Sequence, residues 1–146
     1  MNKTVEHLIA DRGLRDGESM IVEYLHFLPA QINKDLFKHP SVIPIVLKIN
    51  DRNEYEKRIQ SREKYSHLRS PGKRLLDHID QYLVLQEHQC KEAKKHKIIV
   101  VGVDQFELSM DILLTYINQR IKELNELKDI DLKSEFLSKF EKERED

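Results

Sequence analysis

The sequence predicts an α/β protein of the three-layer αβα kind. It should have a short parallel sheet of about three strands, long flanking helices and a C-terminal helical extension. Three observations lead there. Val- and Ile-rich runs at Ser19–Phe27, Val42–Ile49 and Lys97–Val103 read as strands. Helical stretches separate them, and each intervening segment is long enough for a parallel crossover connection. Four Gly and four Pro in 146 residues leave few tight turns for a multi-stranded antiparallel sandwich.

Each element has a local reason. Lys3–Ala10 is a short helix carrying Val5, Leu8 and Ile9, and the Asp11–Gly17 stretch is a turn-rich break. In the Ser19–Phe27 run, Met20, Ile21 and Val22 follow one another without alternation, which suits a strand covered on both faces. Asn33 is placed to cap a short helix to His39. Pro44 lies near the start of the Val42–Ile49 run, where a missing amide is easiest to accommodate. Asn50 and Asp51 can cap a helix over Glu54–Tyr65 whose apolar content is thin. A basic linker, Ser66–Lys73, leads to a long helix over Arg74–Lys95, with Leu75, Leu76, Ile79, Leu83, Gln86 and Cys90 along one side. Lys97–Val103 is the clearest buried strand. The Gln105–Leu127 helix puts Leu108, Ile112, Leu113, Tyr116, Ile117, Ile121 and Leu124 on its apolar side. Residues 1–128 thus read as one α/β domain and 129–146 as a charged helical extension.

Composition narrows the function classes. Apolar residues make up 39% and charged residues 35%, which excludes membrane-spanning and fibrous classes. No apolar stretch approaches the roughly 18 residues that span a bilayer. Lys plus Arg total 25 and Asp plus Glu 26, a formal charge of −1, so bulk charge makes no case for nucleic acid. The basic stretches Arg58–Lys73 and Lys91–Lys97 are interleaved with acids or end a helix, and the chain has no Trp for base stacking. Cys90 is the single cysteine, which rules out an internal disulfide and a thiolate zinc cluster. No metal site is expected: His78 and His88 are ten residues apart, about 15 Å along a helix. A cytoplasmic setting is the expectation.

Several short motifs resemble the 2-phosphoglycerate kinase family, archaeal P-loop kinases related to shikimate- and adenylate-type kinases. Ile21-Val-Glu-Tyr-Leu-His-Phe-Leu-Pro29 resembles that family's strand Ile-Glu-Gly-Val-His-Leu-Val-Pro. Glu23, His26 and Pro29 match it in place, and Tyr24 replaces the glycine. Val46–Arg62 resembles a strand followed by a lid helix with two arginines four apart, here Arg58 and Arg62. Tyr82–Ala93 resembles the helix before the last strand, and Asp104 the last strand-to-helix turn. The likeness covers roughly residues 18 to 123. Nowhere does the chain contain Gly-x-x-x-x-Gly-Lys-Ser/Thr, the loop whose amides cradle nucleotide phosphates. The resemblance therefore implies the acceptor-binding and lid portion of a small-molecule phosphotransferase, not catalytically competent alone. ATP and Mg would be used only if a nucleotide-binding half were supplied.

On that resemblance Glu23, Arg58 and Arg62 are the catalytic candidates, with His26 and Arg69 binding substrate. Arg58 and Arg62 share a helix face, and guanidinium groups suit phosphoryl oxygens. The implied ligand is a phosphorylated small molecule. A plain alternative stands beside each assignment. The arginines can pair with Glu54, Glu56 and Glu63 on a solvated helix, and Glu23 and His26 can be turn and packing residues. The alternative function is a non-catalytic interaction or oligomerisation domain. Its partner would be a second copy, whereas the first reading requires the missing nucleotide-binding half.

Overall fold

The computed structural model describes residues 2–25, 27–63 and 71–126. They form two compact units, Met1–Pro44 with Thr115–Asp146, and Ile45–Leu114.

In the first unit, helix α1 (Asn2–His7) runs into a wider π-helical stretch, Leu8–Arg15. The wide turn closes with the Asp16 amide donating to the Asp11 carbonyl at 3.0 Å, and the chain leaves the helix through Gly17 at φ 74°. Helical structure thus reaches past the break expected at Asp11, because the turn-forming glycine that ends it is Gly17. Ala10 and Leu14 from this stretch pack with Ile32 and Leu36 in a small core, and Phe27 meets Phe37 edge to face at 5.8 Å. Helix α2 (Lys34–Lys38) begins where Asn33 accepts the Asp35 amide at 2.9 Å, the expected cap.

The second unit holds the sheet. Strands β1 (Ile45–Lys48) and β2 (Ile99–Gly102) are parallel, with Ile45 opposite Ile99 and Lys48 opposite Gly102. Between them lie α3 (Arg52–Glu63), α4 (Pro71–Asp77) and α5 (Ile79–Lys95), and α6 (Phe106–Glu126) follows β2. The class is α/β, a small parallel sheet flanked by long helices in the three-layer αβα manner. Among the described residues the sheet has two strands, not three. The expected first strand, Ser19–Phe27, forms no strand over its described residues, and Ile21 is fully exposed and Leu25 80% exposed. Its β-branched run marks a segment able to pair. Pairing also needs a neighbouring backbone, which local sequence does not encode.

Two further differences are local. The long helix expected over Arg74–Lys95 is broken at His78 (φ −117°, ψ 17°), and α4 begins at Pro71, inside the expected linker. Proline at a first helical position costs no hydrogen bond and presets φ, so Pro71 starts a helix within the stretch expected to be linker. Helix α5 packs on both strands and buries Ile79, Cys90 and Ala93. It ends in a Schellman turn. The Ile98 amide donates to the Ala93 carbonyl at 2.9 Å and the Lys97 amide to Lys94 at 3.1 Å. Lys97 occupies the left-handed position at φ 58°. Along α6, Ser109, Leu113, Tyr116 and Ile117 turn inward, but Leu108, Ile112 and Ile121 from the expected apolar side are exposed. Among the described residues, no helix is long and apolar enough to cross a membrane.

A left-handed lysine carries a Cβ clash that glycine lacks. Lys97→Gly should therefore stabilise the fold by about 0.5–1 kcal/mol. An equilibrium urea titration with unchanged slope and a raised midpoint is the expected result.

Candidate functional site

The chemistry-bearing side chains of the second unit gather where β1 and β2 end. In parallel sheets this C-terminal edge is where chain reversals leave room for ligands. One carboxylate organises the edge. Asp104, just past β2, accepts the Asn50 amide at 2.8 Å and the Asp51 amide at 2.9 Å through one oxygen. Its other oxygen accepts the Asn50 side-chain amide at 2.6 Å. These donors, the Asp51 amide foremost, hold the Asp104 carboxyl below the ordinary aspartate range. Asp51 is then free to cap α3, accepting the Asn53 amide at 2.8 Å. Gly102 is required by the same arrangement: a Cβ there would lie 2.5 Å from Asn50 Nδ2.

A second tie comes from α5. Gln86 accepts the Ile49 amide and donates to the Ile49 carbonyl, each at 3.0 Å, so its side chain replaces a neighbouring strand at the end of β1. Its signal in the sequence was a polar residue on an otherwise apolar helix side. Cys90, one turn further along α5, is buried, and that burial pushes its thiol up, away from the reactive thiolate.

Helix α3 rises from this edge. Arg58 is half-buried. Its Nε donates to Glu54 at 2.8 Å, and its Nη2 donates to the carbonyls of Val103 at 2.6 Å and Asp104 at 3.3 Å. Arg62, one turn on, is exposed and has no hydrogen bond or ion pair among the described residues. Of the pairs in the plain alternative, Arg58 with Glu54 is present, and the Glu63 side chain lies outside the described residues. At the foot of α3, Arg52 pairs with Glu56 at 2.9 Å and with Asp80 at 2.5 Å. Glu23 is exposed in the first unit. His26 and Arg69 lie outside the described residues. Among the described residues, no group of three His, Cys, Asp or Glu side chains could hold a metal ion.

Comparison with known proteins follows the same line. The chain is 23% identical over 113 residues to the 2-phosphoglycerate kinase of Methanopyrus kandleri, covering 77% of this chain and 35% of that protein. It is 28% identical over 103 residues to the mevalonate-3-phosphate 5-kinase of Thermoplasma acidophilum, covering 70% and 50%. Against the 2-phosphoglycerate kinase of Methanocaldococcus jannaschii it is 27% identical over 119 residues, covering 82% and 38%. The chain is distantly related to these kinases, at superfamily level. It spans between a third and a half of the length of these curated relatives. No protein-family model matches it, and no solved structure does.

The depressed Asp104 carboxyl fixes the sign of a pH effect. Its contribution to stability is present above the ordinary aspartate value, near 3.9, and is lost as pH falls through the lower folded value. Asp104→Ala should cost about 1–2 kcal/mol at neutral pH. Urea midpoints measured from pH 7 down to pH 2 should converge for wild type and variant at the acid end.

Proposed function

We propose that this chain is the acceptor-binding and lid portion of a small-molecule phosphotransferase, and that it does not turn over ATP by itself. The observation that carries this reading is the placement of α3. The helix is anchored at the C-terminal edge of the parallel sheet, and the exposed Arg62 lies one turn beyond the anchor. The distant relation to kinases of phosphorylated metabolites supports it, since each of those proteins takes an acceptor that already carries a phosphate.

In this reading α3 is the lid, with Arg69 following it in the chain. The guanidinium of Arg62 binds non-bridging oxygens of a phosphoryl group, where charge-assisted bonds are strong. Arg58 belongs to the same lid helix. Glu23 orients the acceptor hydroxyl, and His26 lines the acceptor pocket. ATP and magnesium enter with a nucleotide-binding half, because this sequence has no Gly-x-x-x-x-Gly-Lys-Ser/Thr. A second reading, a non-catalytic interaction or oligomerisation domain, is favoured by one observation. Leu108, Ile112, Leu114 and Ile121 are exposed along α6. Light scattering on the eluted protein separates the readings: a stable homo-oligomer with no phosphate response supports the second.

Two outcomes follow from the first reading. Calorimetry with magnesium and ATP should give a dissociation constant weaker than about 10 μM, roughly −7 kcal/mol. A panel of phosphorylated metabolites followed by amide shifts should perturb residues on α3, and Arg62→Ala should weaken that binding by about 1.5–3 kcal/mol. Because Arg62 is exposed and unpaired among the described residues, the variant's urea midpoint should stay at the wild-type value.

A further inference from the structure

Two arginines four apart on one helix invite a two-guanidinium clamp. The hydrogen bonds of Arg58 argue against it. A guanidinium grips a phosphoryl group through two parallel N–H bonds, drawn either from Nε and Nη2 or from Nη1 and Nη2. In Arg58 the Nε proton goes to Glu54 at 2.8 Å. Nη2 donates to Val103 at 2.6 Å and to Asp104 at 3.3 Å, which uses both of its protons. Both forks are therefore broken, and the Glu54 carboxylate beside the group repels an incoming anion. Arg62 is exposed, and none of its five donors is engaged among the described residues.

We infer that the two arginines divide the work: of this pair Arg62 offers the fork to the phosphorylated ligand, and Arg58 is a positioning residue. Arg58 latches α3 to the end of β2, and thereby fixes where Arg62 stands relative to the sheet edge. The division rests on the lid reading above, and it extends that reading by saying which guanidinium meets the anion. The latch has a second support. Asp104 binds the first residues of the β1–α3 turn through its carboxylate, and Arg58 takes its backbone carbonyl. The same residue thus holds α3 at its base and about two turns higher.

The test is an NMR titration of the full chain with inorganic phosphate, following the side-chain Nε–Hε signals of the two arginines and the backbone carbonyl carbons of Val103 and Asp104. The Arg62 signal should move with saturation. The Arg58 signal and both carbonyls should stay in place. Arg58→Ala should shift both carbonyls without any phosphate, and Arg62→Ala should leave them unmoved while lowering phosphate affinity tenfold or more. If the Arg58 signal moves with the same dissociation constant as that of Arg62, and the Val103 carbonyl moves toward its position in Arg58→Ala, the clamp is correct and the division is overturned. If neither arginine responds while Arg58→Ala still shifts the carbonyls, the phosphate-binding lid fails and the latch stands. Unmoved carbonyls in Arg58→Ala overturn the latch.

Discussion

The Asp104 carboxylate is the tie on which the second unit depends. Among the described residues the sheet is two parallel strands of four residues each, too small to hold itself together, since parallel ladders gain stability mainly from cover and from neighbours. Here the strand ends are stitched. Asp104 gathers the Asn50 and Asp51 amides, Gln86 completes the hydrogen bonding of Ile49, and the Val103 amide donates to Lys48 at 2.8 Å. The Gln86 bonds satisfy backbone groups of Ile49 that a neighbouring strand would otherwise pair, and Asp104 satisfies the amides of the turn that follows. The stitching also explains why Gly102 has no side chain: the Asn50 amide occupies the place where one would stand.

From this edge the geometry passes outward to α3. Its first turn is capped by Asp51, and its second is held by Arg58 against the end of β2. The helix carries little apolar surface, with Ile59 its buried aliphatic residue, so polar bonds rather than core packing set its position. A helix held in this way keeps one end fixed and presents charge at the other, an arrangement suited to a lid. The surface pairs of Arg52 add little to stability, as exposed ion pairs generally do. The Arg58 bonds differ because they end on backbone carbonyls beside the strand.

The cover of the sheet is uneven. Val101 is 2% exposed while Leu47, its partner in register on β1, is 55% exposed. Partners in a parallel ladder share a face, so cover over that face reaches β2 and stops short of β1. The exposed Ile21 and Leu25 of the first unit belong to a segment of strand-like composition whose described residues join no ladder.

The sequence by itself determined the class, the strands at Val42–Ile49 and Lys97–Val103 and their parallel sense, caps at Asn33 and in the Asn50–Asp51 pair, and the polar character of the helix bearing Arg58 and Arg62. These follow from local chemistry: β-branched runs, oxygen-bearing side chains before a helix, and spacing along a turn. Only the tertiary structure decided the rest. Ser19–Phe27 had the composition of a strand, yet its described residues form none, because a ladder is a property of two segments. Gln86 read as a flaw in an apolar stripe until Ile49 was placed beside it. Arg58 and Arg62 were indistinguishable in spacing, charge and propensity, and they separated only when the end of β2 brought two carbonyls to one and solvent to the other. Periodicity reports which residues share a face of their own element. It carries no information about what stands opposite that face, and here that decided which arginine is a strut and which is exposed.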